Sequence, residues 1–491
     1  MSSHSRSGWS WRAVPVLTAP ALFALSFAIP DTILPPHASR AAAAIAWMAV
    51  WWVTEVVPLP VTALLPLVLF PVAGILPAGD VAVAYANRFV FLMGGGFVLA
   101  EAMQQHGLHR RIALGIVARV GGGPRRLVLG FMIAAAFLSM WLSNTATAAM
   151  LYPIALAVSG RVAAPAFAPA LMLGTAYACN IGGIGTLVGT FPNVVFAGMV
   201  PDLLPGSSPP DFLGWMLIGV PLVIVLIPMA WLVLTTWAYP QAGGPAGGGT
   251  AEIRDEIRRL PPISTAERRT AWVFAATALL WITRRGLHAG QLVLPGWTEL
   301  VGLDGLVDDS TVAIAAALAL FLIPAGRSAG TSRRRLLDAR AFPAIPWPIL
   351  LLFGGGFALA AGFTASGLGN VVAGALGGMP SVPLPLLLFI VALLISFLTE
   401  VNSNTATTTT FLPLVAAVAP ALGAPVFPLL LAVTLSASCA FMLPTATPPN
   451  AIVFASGRLE MRSMARTGLV LNVLAAGVVA TACWLVFRVH G

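Results

Sequence analysis

Long apolar runs recur along the whole chain, and they limit its fold more than any other feature. Residues 14–29, 213–234, 312–323 and 468–487 are examples. An α-helix needs about 17 to 25 such residues to cross the roughly 30 Å hydrocarbon core of a bilayer. Of the 491 residues, 58% are hydrophobic and 9% charged, which is far from the composition of a soluble globular protein. Because the runs are continuous rather than alternating, we predict an all-α polytopic membrane protein and not an outer-membrane barrel.

The basic residues give the chain a net charge of +9, yet they do not indicate nucleic-acid binding. They lie in short loops between apolar runs, as the positive-inside rule describes for membrane proteins. We therefore expect membrane lipid around the protein and no nucleic-acid partner.

The sequence also contains a tandem repeat. Several landmarks recur at one spacing of 260 residues, namely Phe97 and Phe357 at the end of "GGGF", Ser143–Thr147 and Ser403–Thr407 ("SNTAT"), Pro153 and Pro413, and Cys179 and Cys439. The spacing then slips by three, because "GTFPN" (Gly189–Asn193) corresponds to "ATPPN" (Ala446–Asn450). So many landmarks at one offset indicate a duplicated fold.

The repeats divide the chain into four parts. We assign residues 1–40 to an N-terminal segment with a first transmembrane helix, 41–240 to the first repeat, 241–270 to a cytoplasmic linker and 271–491 to the second repeat. The linker is rich in arginine, which places it in the cytoplasm. By the same rule, the loops at 327–340 and 458–466 are cytoplasmic, and the acidic segment at 299–309 is external.

The charge pattern also predicts how the repeats are oriented. The first SNTAT motif follows a basic stretch, whereas the second follows the nearly uncharged residues 367–396. The two motifs should therefore enter the membrane from opposite sides. We predict two inverted repeats with discontinuous helices and about 11 transmembrane helices, the architecture in which a substrate site forms at the midplane.

The SNTAT motifs place Ser, Asn and Thr in the middle of apolar segments. Such residues bond locally to the backbone and favour a helix break, which is tolerated at membrane depth only where the backbone lines a cavity. Carbonyl, hydroxyl and amide oxygens suit an alkali cation, and a helix N-terminus attracts an anion. The alternative for any single motif is ordinary hydrogen bonding within and between helices. Because the motif is duplicated together with the Pro-Asn loops, we favour a site for a cation and a carboxylate.

Three acids lie within or beside apolar segments, and two glycine runs lie within them. A structural or interfacial role is favoured for Glu55 and Glu101, and both interpretations stay open for Glu400, which precedes the second motif. The two GGGF runs fit either close helix packing or the bends of re-entrant hairpins.

The motifs in combination resemble the divalent anion/sodium symporter family. The resemblance is carried by "WWVTEVVPLPVTALLPLVLFPVAGI" at residues 51–75, the two SNT motifs, "GTFPN" and "PTATPPN", and extends from about residue 41 to the C-terminus. It implies a homodimer in which each protomer has a scaffold part and a transport part with two re-entrant hairpins. It also implies that the transport part carries the site across the membrane in an elevator-type movement.

The resemblance further implies which residues bind. Sodium, the co-transported ion, would be held at a first site by Ser139, Ser143, Asn144 and Gly189, and at a second by Thr399, Asn404 and the backbones of Asn402 and Ala446. The substrate carboxylates would meet Asn144, Thr145, Asn404, Thr405 and Pro448. One departure is Phe191, which stands where the family has proline and is the repeat mate of Pro448. It should narrow or reshape the substrate side of the site.

We therefore predict a transporter of the inner membrane, a sodium-coupled symporter that imports C4-dicarboxylates of the succinate, malate and fumarate class. A sodium-independent dicarboxylate exchanger and a sulfate or citrate transporter of the same family remain alternatives. An intramembrane hydrolase using Ser143 or Ser403 is disfavoured, because the matching apolar segments hold no His or Lys base. A channel is disfavoured by the paired polar motifs, which suit alternating access.

Overall fold

The computed structural model describes residues 10–30, 32, 34–162, 164–243, 249–289, 292–326, 335–375 and 382–490. The start of the predicted N-terminal segment, part of the linker and most of the predicted 327–340 loop lie outside these residues. In the described part, helices dominate, and the strands are one antiparallel hairpin of Leu287–Ala289 (β1) and Leu292–Leu294 (β2). The predicted all-helical membrane class is confirmed.

The helices fall into an N-terminal group, two matching sets of seven, and a group between them. The N-terminal group is α1 (Ser10–Leu25), α2 (Pro36–Thr54), α3 (Leu59–Thr62), α4 (Pro66–Val72) and α5 (Ala78–Tyr85). The first set is α6 (Arg88–Gln105), α7 (Leu108–Val120), α8 (Pro124–Ser139), α9 (Asn144–Ser159), α10 (Phe167–Gly183), α11 (Phe191–Leu203) and α12 (Phe212–Leu232). The middle group is α13 (Gly249–Arg259), α14 (Thr265–Ile282), α15 (Trp297–Leu300) and α16 (Asp309–Leu322). The second set is α17 (Trp347–Ala365), α18 (Leu368–Ala375), α19 (Leu384–Val401), α20 (Asn404–Ala421), α21 (Val426–Ala437), α22 (Pro448–Phe454) and α23 (Met461–His490).

The two sets of seven agree in their breaks as well as in their order. Each SNT motif separates two helices, α8 from α9 and α19 from α20, and each Pro-Asn loop begins a further helix, α11 or α22. Ser143 and Ser403 cap the helices that follow them, with backbone φ of −61° and −62°. The repeated sequence therefore produces repeated helix breaks.

The helix pair α8–α9 begins and ends on the same side of the molecule. Arg125, at the start of α8, donates to the carbonyl of Pro240 at 2.9 Å, just before the linker. Arg161, after the end of α9, forms an ion pair of 3.3 Å with Glu252 of α13. Both ends thus lie beside the linker, so the pair enters the protein and returns, as a re-entrant hairpin does.

The equivalent pair α19–α20 ends on the other side. Helix α14 begins at the linker and spans 18 residues, about 27 Å, before Arg284 forms its ion pairs with Asp211 and Asp309. Asp202 at the end of α11 lines a pocket together with Ala416 and Pro420 of α20, and the chain then continues to Asp211 at the start of α12. These contacts support the inverted orientation of the repeats, which stays a prediction.

Individual helices differ in their ability to cross a membrane alone. Within the described residues, the spans long and apolar enough are Ala78–Gln105, Phe212–Ala238, Trp347–Ala365, Leu384–Val401 and Met461–Arg488. The breaks divide other crossings into shorter helices, such as α10 with 17 residues and α11 with 13. A count of long apolar helices does not include a crossing that is built from two short helices. The number of about 11 transmembrane helices therefore stays a prediction.

The glycine runs lie inside the continuous helices α6 and α17. A Cβ atom on Gly95 would lie 2.7 Å from the carbonyl oxygen of Ala313, and one on Gly355 would lie 2.3 Å from that of Ala63. Glycine is required at both positions because α16, through Ala313, and the turn after α3, through Ala63, pack directly against the backbone. Of the two interpretations of GGGF, close helix packing is the correct one.

Candidate functional site

A cavity of about 570 Å³ lies where the two repeats meet. Both SNT motifs and both Pro-Asn loops line it, which brings together residues far apart in the sequence. The predicted site residues on its wall are Ser143, Asn144, Thr145, Gly189, Asn402, Asn404, Thr405, Ala446 and Pro448. Ser139 and Thr399, the other two, are fully buried directly behind the wall. The volume is typical of a site for a small molecule.

Helix N-termini face this cavity. The Ser143 hydroxyl accepts from the backbone N–H of Ala146 at 3.2 Å, and the Ser403 hydroxyl accepts from that of Ala406 at 3.3 Å. Each serine satisfies one N–H of the first helical turn, so others remain available to a ligand. The start of α11, at Phe191, also lines the cavity. Several helix dipoles therefore place partial positive charge at the same cavity, where an anion is favoured.

A first group of oxygen atoms converges behind Asn144. The Ser139 hydroxyl donates to Oδ1 of Asn144 at 2.5 Å. A Cβ atom on Gly189 would lie 2.5 Å from the carbonyl oxygen of Gly183 and 3.0 Å from that of Ser139. One on Gly183 would lie 2.8 Å from Oδ1 of Asn144. Amide and carbonyl oxygens from three chain segments thus lie close together around Gly183 and Gly189, where no side chain could fit, and such hard oxygen donors suit a hard cation.

A second group of oxygens occupies the equivalent place in the other repeat. Oγ1 of Thr399 lies 2.6 Å from Oδ1 of Asn404 and 3.0 Å from the carbonyl oxygen of Ala437. Oδ1 of Asn402 accepts from the backbone N–H of Ser403 at 2.9 Å. The Oδ1 atom of Asn402 is therefore engaged locally, and the backbone role of this residue stays a prediction. Thr399 and Asn404 are the repeat mates of Ser139 and Asn144.

The asparagines of the Pro-Asn loops form hydrogen bonds with the backbone at the helix breaks that follow α10 and α21. The Asn193 amide donates to the carbonyls of Gly183 and Thr186 at 3.0 and 2.7 Å. Asn450 donates in the same way to Ala440 and Leu443 at 3.1 and 3.0 Å. These two residues are fully buried. They satisfy backbone carbonyls that have no helical partner, which is essential at membrane depth.

Two residues of the site were not predicted from the sequence. Gly183 contributes its carbonyl and its missing side chain to the first oxygen group. Asn180 lines the cavity and donates to the carbonyl of Ala440 at 3.2 Å and to Oγ1 of Thr447 at 3.1 Å, which ties the first repeat to the second. The sequence signal that could have identified them is a polar residue followed by two adjacent glycines within an apolar segment.

Charge is scarce around the cavity. Among the described residues that line it, Glu55 is the one charged side chain, and Arg and His are absent. Glu55 follows α2 in a left-handed backbone conformation, φ +47°, that is uncommon outside glycine. The sequence favoured a structural or interfacial role for Glu55, and the structure places it on the cavity wall. An anion in this cavity would therefore find helix N-termini and amides, but no fixed cation.

Aromatic rings form another part of the wall. Phe191 packs edge-on against Phe97 and Phe353, with ring centroids 6.2 and 5.8 Å apart. Phe97 and Phe191 both line the cavity. The opposite loop presents Pro448 at the equivalent position. The two ends of the cavity therefore differ in shape.

Comparisons with known proteins place this arrangement in a family. The family described as "Sodium:sulfate symporter transmembrane region" matches residues 10–489. The chain belongs to this family. Membership confirms the resemblance to the divalent anion/sodium symporters, and with it the predictions of a membrane location and of a transporter rather than an enzyme.

Among relatives in the family are two named sodium-dependent dicarboxylate transporter SdcS. The one from Staphylococcus saprophyticus is 38% identical over 446 residues, which cover 88% of this chain and 83% of the relative. The one from Staphylococcus aureus is 36% identical over 456 residues, covering 90% and 85%. Among solved structures, the YdaH transporter of Alcanivorax borkumensis superposes with a TM-score of 0.55 over 82% of this chain and 86% of that one, at 16% identity. This last likeness concerns the fold alone.

Proposed function

We propose that the protein is a sodium-coupled symporter that imports C4-dicarboxylates such as succinate, malate and fumarate across the inner membrane. The relatives named as sodium-dependent dicarboxylate transporters support the substrate and the ion. The observation that carries the proposal is a cavity lined by both SNT motifs, with an oxygen group behind each motif and no fixed cation among the described residues of its wall.

The dianion binds between the two motifs. One carboxylate meets Asn144 and Thr145, and the other meets Asn404, Thr405 and Pro448, all of which line the cavity. The amide, the hydroxyls and the free N–H groups of the first helical turns supply hydrogen bonds to each carboxylate. A substrate with a charge at each end matches a cavity with a helix N-terminus at each end.

Sodium occupies the two oxygen groups. Ser139, Ser143, Asn144 and Gly189 hold the first ion, and Thr399, Asn402, Asn404 and Ala446 hold the second. Because Asn144 and Asn404 serve both ion and substrate, the ions shape the loops that the substrate needs. They also offset the charge of a dianion that would otherwise be very costly to bury in the membrane.

Transport follows from movement of the site. The inverted hairpins α8–α9 and α19–α20 carry the cavity between the two membrane faces as part of an elevator-type transport unit, within a homodimer. The inverted arrangement of the hairpins is supported by the ends of α8–α9 beside the linker and by the end of α20 beside Asp202.

Sulfate is the second candidate substrate, because the family description names it. A cavity of about 570 Å³ is large for one sulfate ion, and two separated helix N-termini suit a longer dianion better. A sodium-independent exchanger is disfavoured because both oxygen groups are present.

The experiment is uptake of radiolabelled succinate into proteoliposomes containing the purified protein. Three conditions are compared: an inward sodium gradient, potassium in place of sodium, and unlabelled succinate preloaded inside without sodium. Uptake in the first condition alone supports the symporter. Uptake that depends on preloaded succinate but not on sodium would make the protein an exchanger, and sodium-driven uptake of sulfate instead of succinate would favour the second candidate.

A further inference from the structure

Glu400 is a buried carboxylate that the proposed transport cycle does not use. It lies near the end of α19, next to Thr399, and is 3% exposed. Its Oε1 accepts from the backbone N–H groups of Phe441 and Met442 at 2.6 and 2.8 Å, and its Oε2 accepts from that of Leu443 at 2.9 Å. Three consecutive N–H groups after α21 thus enclose the carboxylate.

A fourth donor comes from α23. The Asn472 amide donates to Oε1 of Glu400 at 2.8 Å, and Asn472 is itself fully buried. Hydrogen bonds of this kind stabilise the ionised form of a buried acid. Because every one of these four partners is a donor, the site is built for a carboxylate anion and not for a neutral acid.

No ion pair joins this anion to a cationic side chain within the part of the chain that the structure describes. The ion pairs found there link arginines to other acids. An isolated buried charge is unfavourable even when it is hydrogen-bonded. The neighbouring Thr399 belongs to the second oxygen group, where a cation would supply the missing positive charge.

The first repeat lacks this charge. Met140 is the repeat mate of Glu400 by the spacing of 260 residues. There, Thr186 donates to the Met140 carbonyl at 2.5 Å, and Trp215 donates to the Ile184 carbonyl at 2.9 Å. Neutral groups therefore secure the first break, whereas a carboxylate secures the second.

We propose that Glu400 is a positioning residue that makes the two sodium sites unequal. It fixes the backbone between α21 and α22, where the Ala446 carbonyl lies, and it places a full negative charge beside the second site. The second site therefore binds sodium more tightly than the first and fills before it. This inference rests on the proposed sodium-coupled function and specifies the order in which its ions bind.

The test replaces the charge and keeps the shape. In Glu400→Gln, the amide oxygen can accept the three bonds made by Oε1, so one of four is lost. The expected result is at least a tenfold rise in the sodium concentration that gives half-maximal succinate uptake, with the succinate KM at saturating sodium within twofold of the unchanged protein. The matched control is Glu101→Gln, the same chemical change on α6, for which sodium dependence stays within twofold.

A second variant separates charge from packing. Glu400→Asp keeps the charge but is shorter and loses part of the hydrogen bonding, so we expect its sodium dependence to stay within threefold. A tenfold rise in the half-maximal sodium concentration of Glu400→Asp would overturn the role of the charge, even if Glu400→Gln failed to fold. Unchanged sodium dependence in folded Glu400→Gln would overturn it as well.

Direct measurement of sodium binding distinguishes a failure of this inference from a failure of the proposed function. Binding of radioactive sodium to the purified protein without substrate should show two affinities, the higher of which is lost in Glu400→Gln. If the unchanged protein showed no sodium-dependent uptake and bound no sodium, the proposed function would fail. If it bound sodium at two equal sites, the function would stand and the inference would fail.

Discussion

Asn144 provides the sharpest single perturbation of the first sodium site. Its Oδ1 accepts from the Ser139 hydroxyl at 2.5 Å and lies against the backbone of Gly183. Asn144→Ala removes one oxygen from the group and leaves the fully buried Ser139 hydroxyl without its acceptor.

The size of the effect follows from these two losses. A contact between a polar group and a charge contributes about 1.5 to 3 kcal/mol, which corresponds to roughly 10- to 150-fold in sodium affinity. The unpaired hydroxyl of Ser139 costs about 1 to 3 kcal/mol of folding stability. We therefore expect a folded, moderately destabilised protein whose sodium dependence is shifted strongly.

The assay is a sodium titration of succinate uptake in proteoliposomes, with thermal unfolding of the purified protein measured alongside. The matched control is Thr147→Ala in the same motif. The Thr147 hydroxyl is buried without a hydrogen-bond partner in the structure. Its loss should therefore change neither the sodium dependence of uptake nor the thermal stability by much. Sodium dependence of Asn144→Ala within twofold of the unchanged protein would refute the assignment of Asn144 as a sodium ligand.

Three further predictions follow from the site and its surroundings. Thr145→Ala should raise the succinate KM about tenfold, because Thr145 lines the cavity, whereas Thr147→Ala should leave it unchanged; equal effects would contradict the proposed substrate contacts. Phe191→Pro should improve uptake of citrate relative to succinate, because a ring is removed from the cavity wall; unchanged selectivity in competition assays would show that this ring does not limit substrate size. Arg284→Met should destabilise the protein by about 3 to 5 kcal/mol in thermal unfolding, because it leaves the Asp309 carboxylate buried without its ion-pair partner at 2.5 Å, and adding Asp309→Asn should recover part of the loss. A double variant no more stable than the single one would show that the unpaired charge is not the cause.

Much of the fold could be predicted because the sequence contains it as a tandem repeat. Spacings of 260 and 257 residues located the helix breaks at Ser143 and Ser403 and the helix starts at Phe191 and Pro448. Local chemistry then indicated what the breaks do, since hydroxyl and amide side chains at membrane depth need partners. The structure brings these segments to one cavity.

What the sequence missed depends on contacts between distant segments. Gly183 looks like an ordinary helical glycine until the loop carrying Gly189 folds against it. Asn180 is important because the other repeat presents the Ala440 carbonyl to it. The GGGF runs left two interpretations open, because only the packing of Ala313 and Ala63 against Gly95 and Gly355 distinguishes a helix contact from a bend.

Hydropathy does not give the number of crossings, and about 11 stays a prediction. Apolar runs define spans when a helix is continuous, as in Leu384–Val401. They do not by themselves separate short helices such as α10 and α11, with 17 and 13 residues, which the repeated motif distinguishes. Hydropathy measures composition, and the break is set by individual hydrogen bonds such as those of Asn193.

Sodium takes the place of a fixed cation, which is absent from the described residues of the cavity wall. The most direct test is equilibrium binding of radiolabelled succinate to the purified protein in detergent, in sodium and in potassium at equal ionic strength. We predict saturable binding in sodium and a loss of at least a hundredfold in affinity in potassium. Binding of equal affinity in both salts would contradict the claim, because the dianion would then be held without the ions.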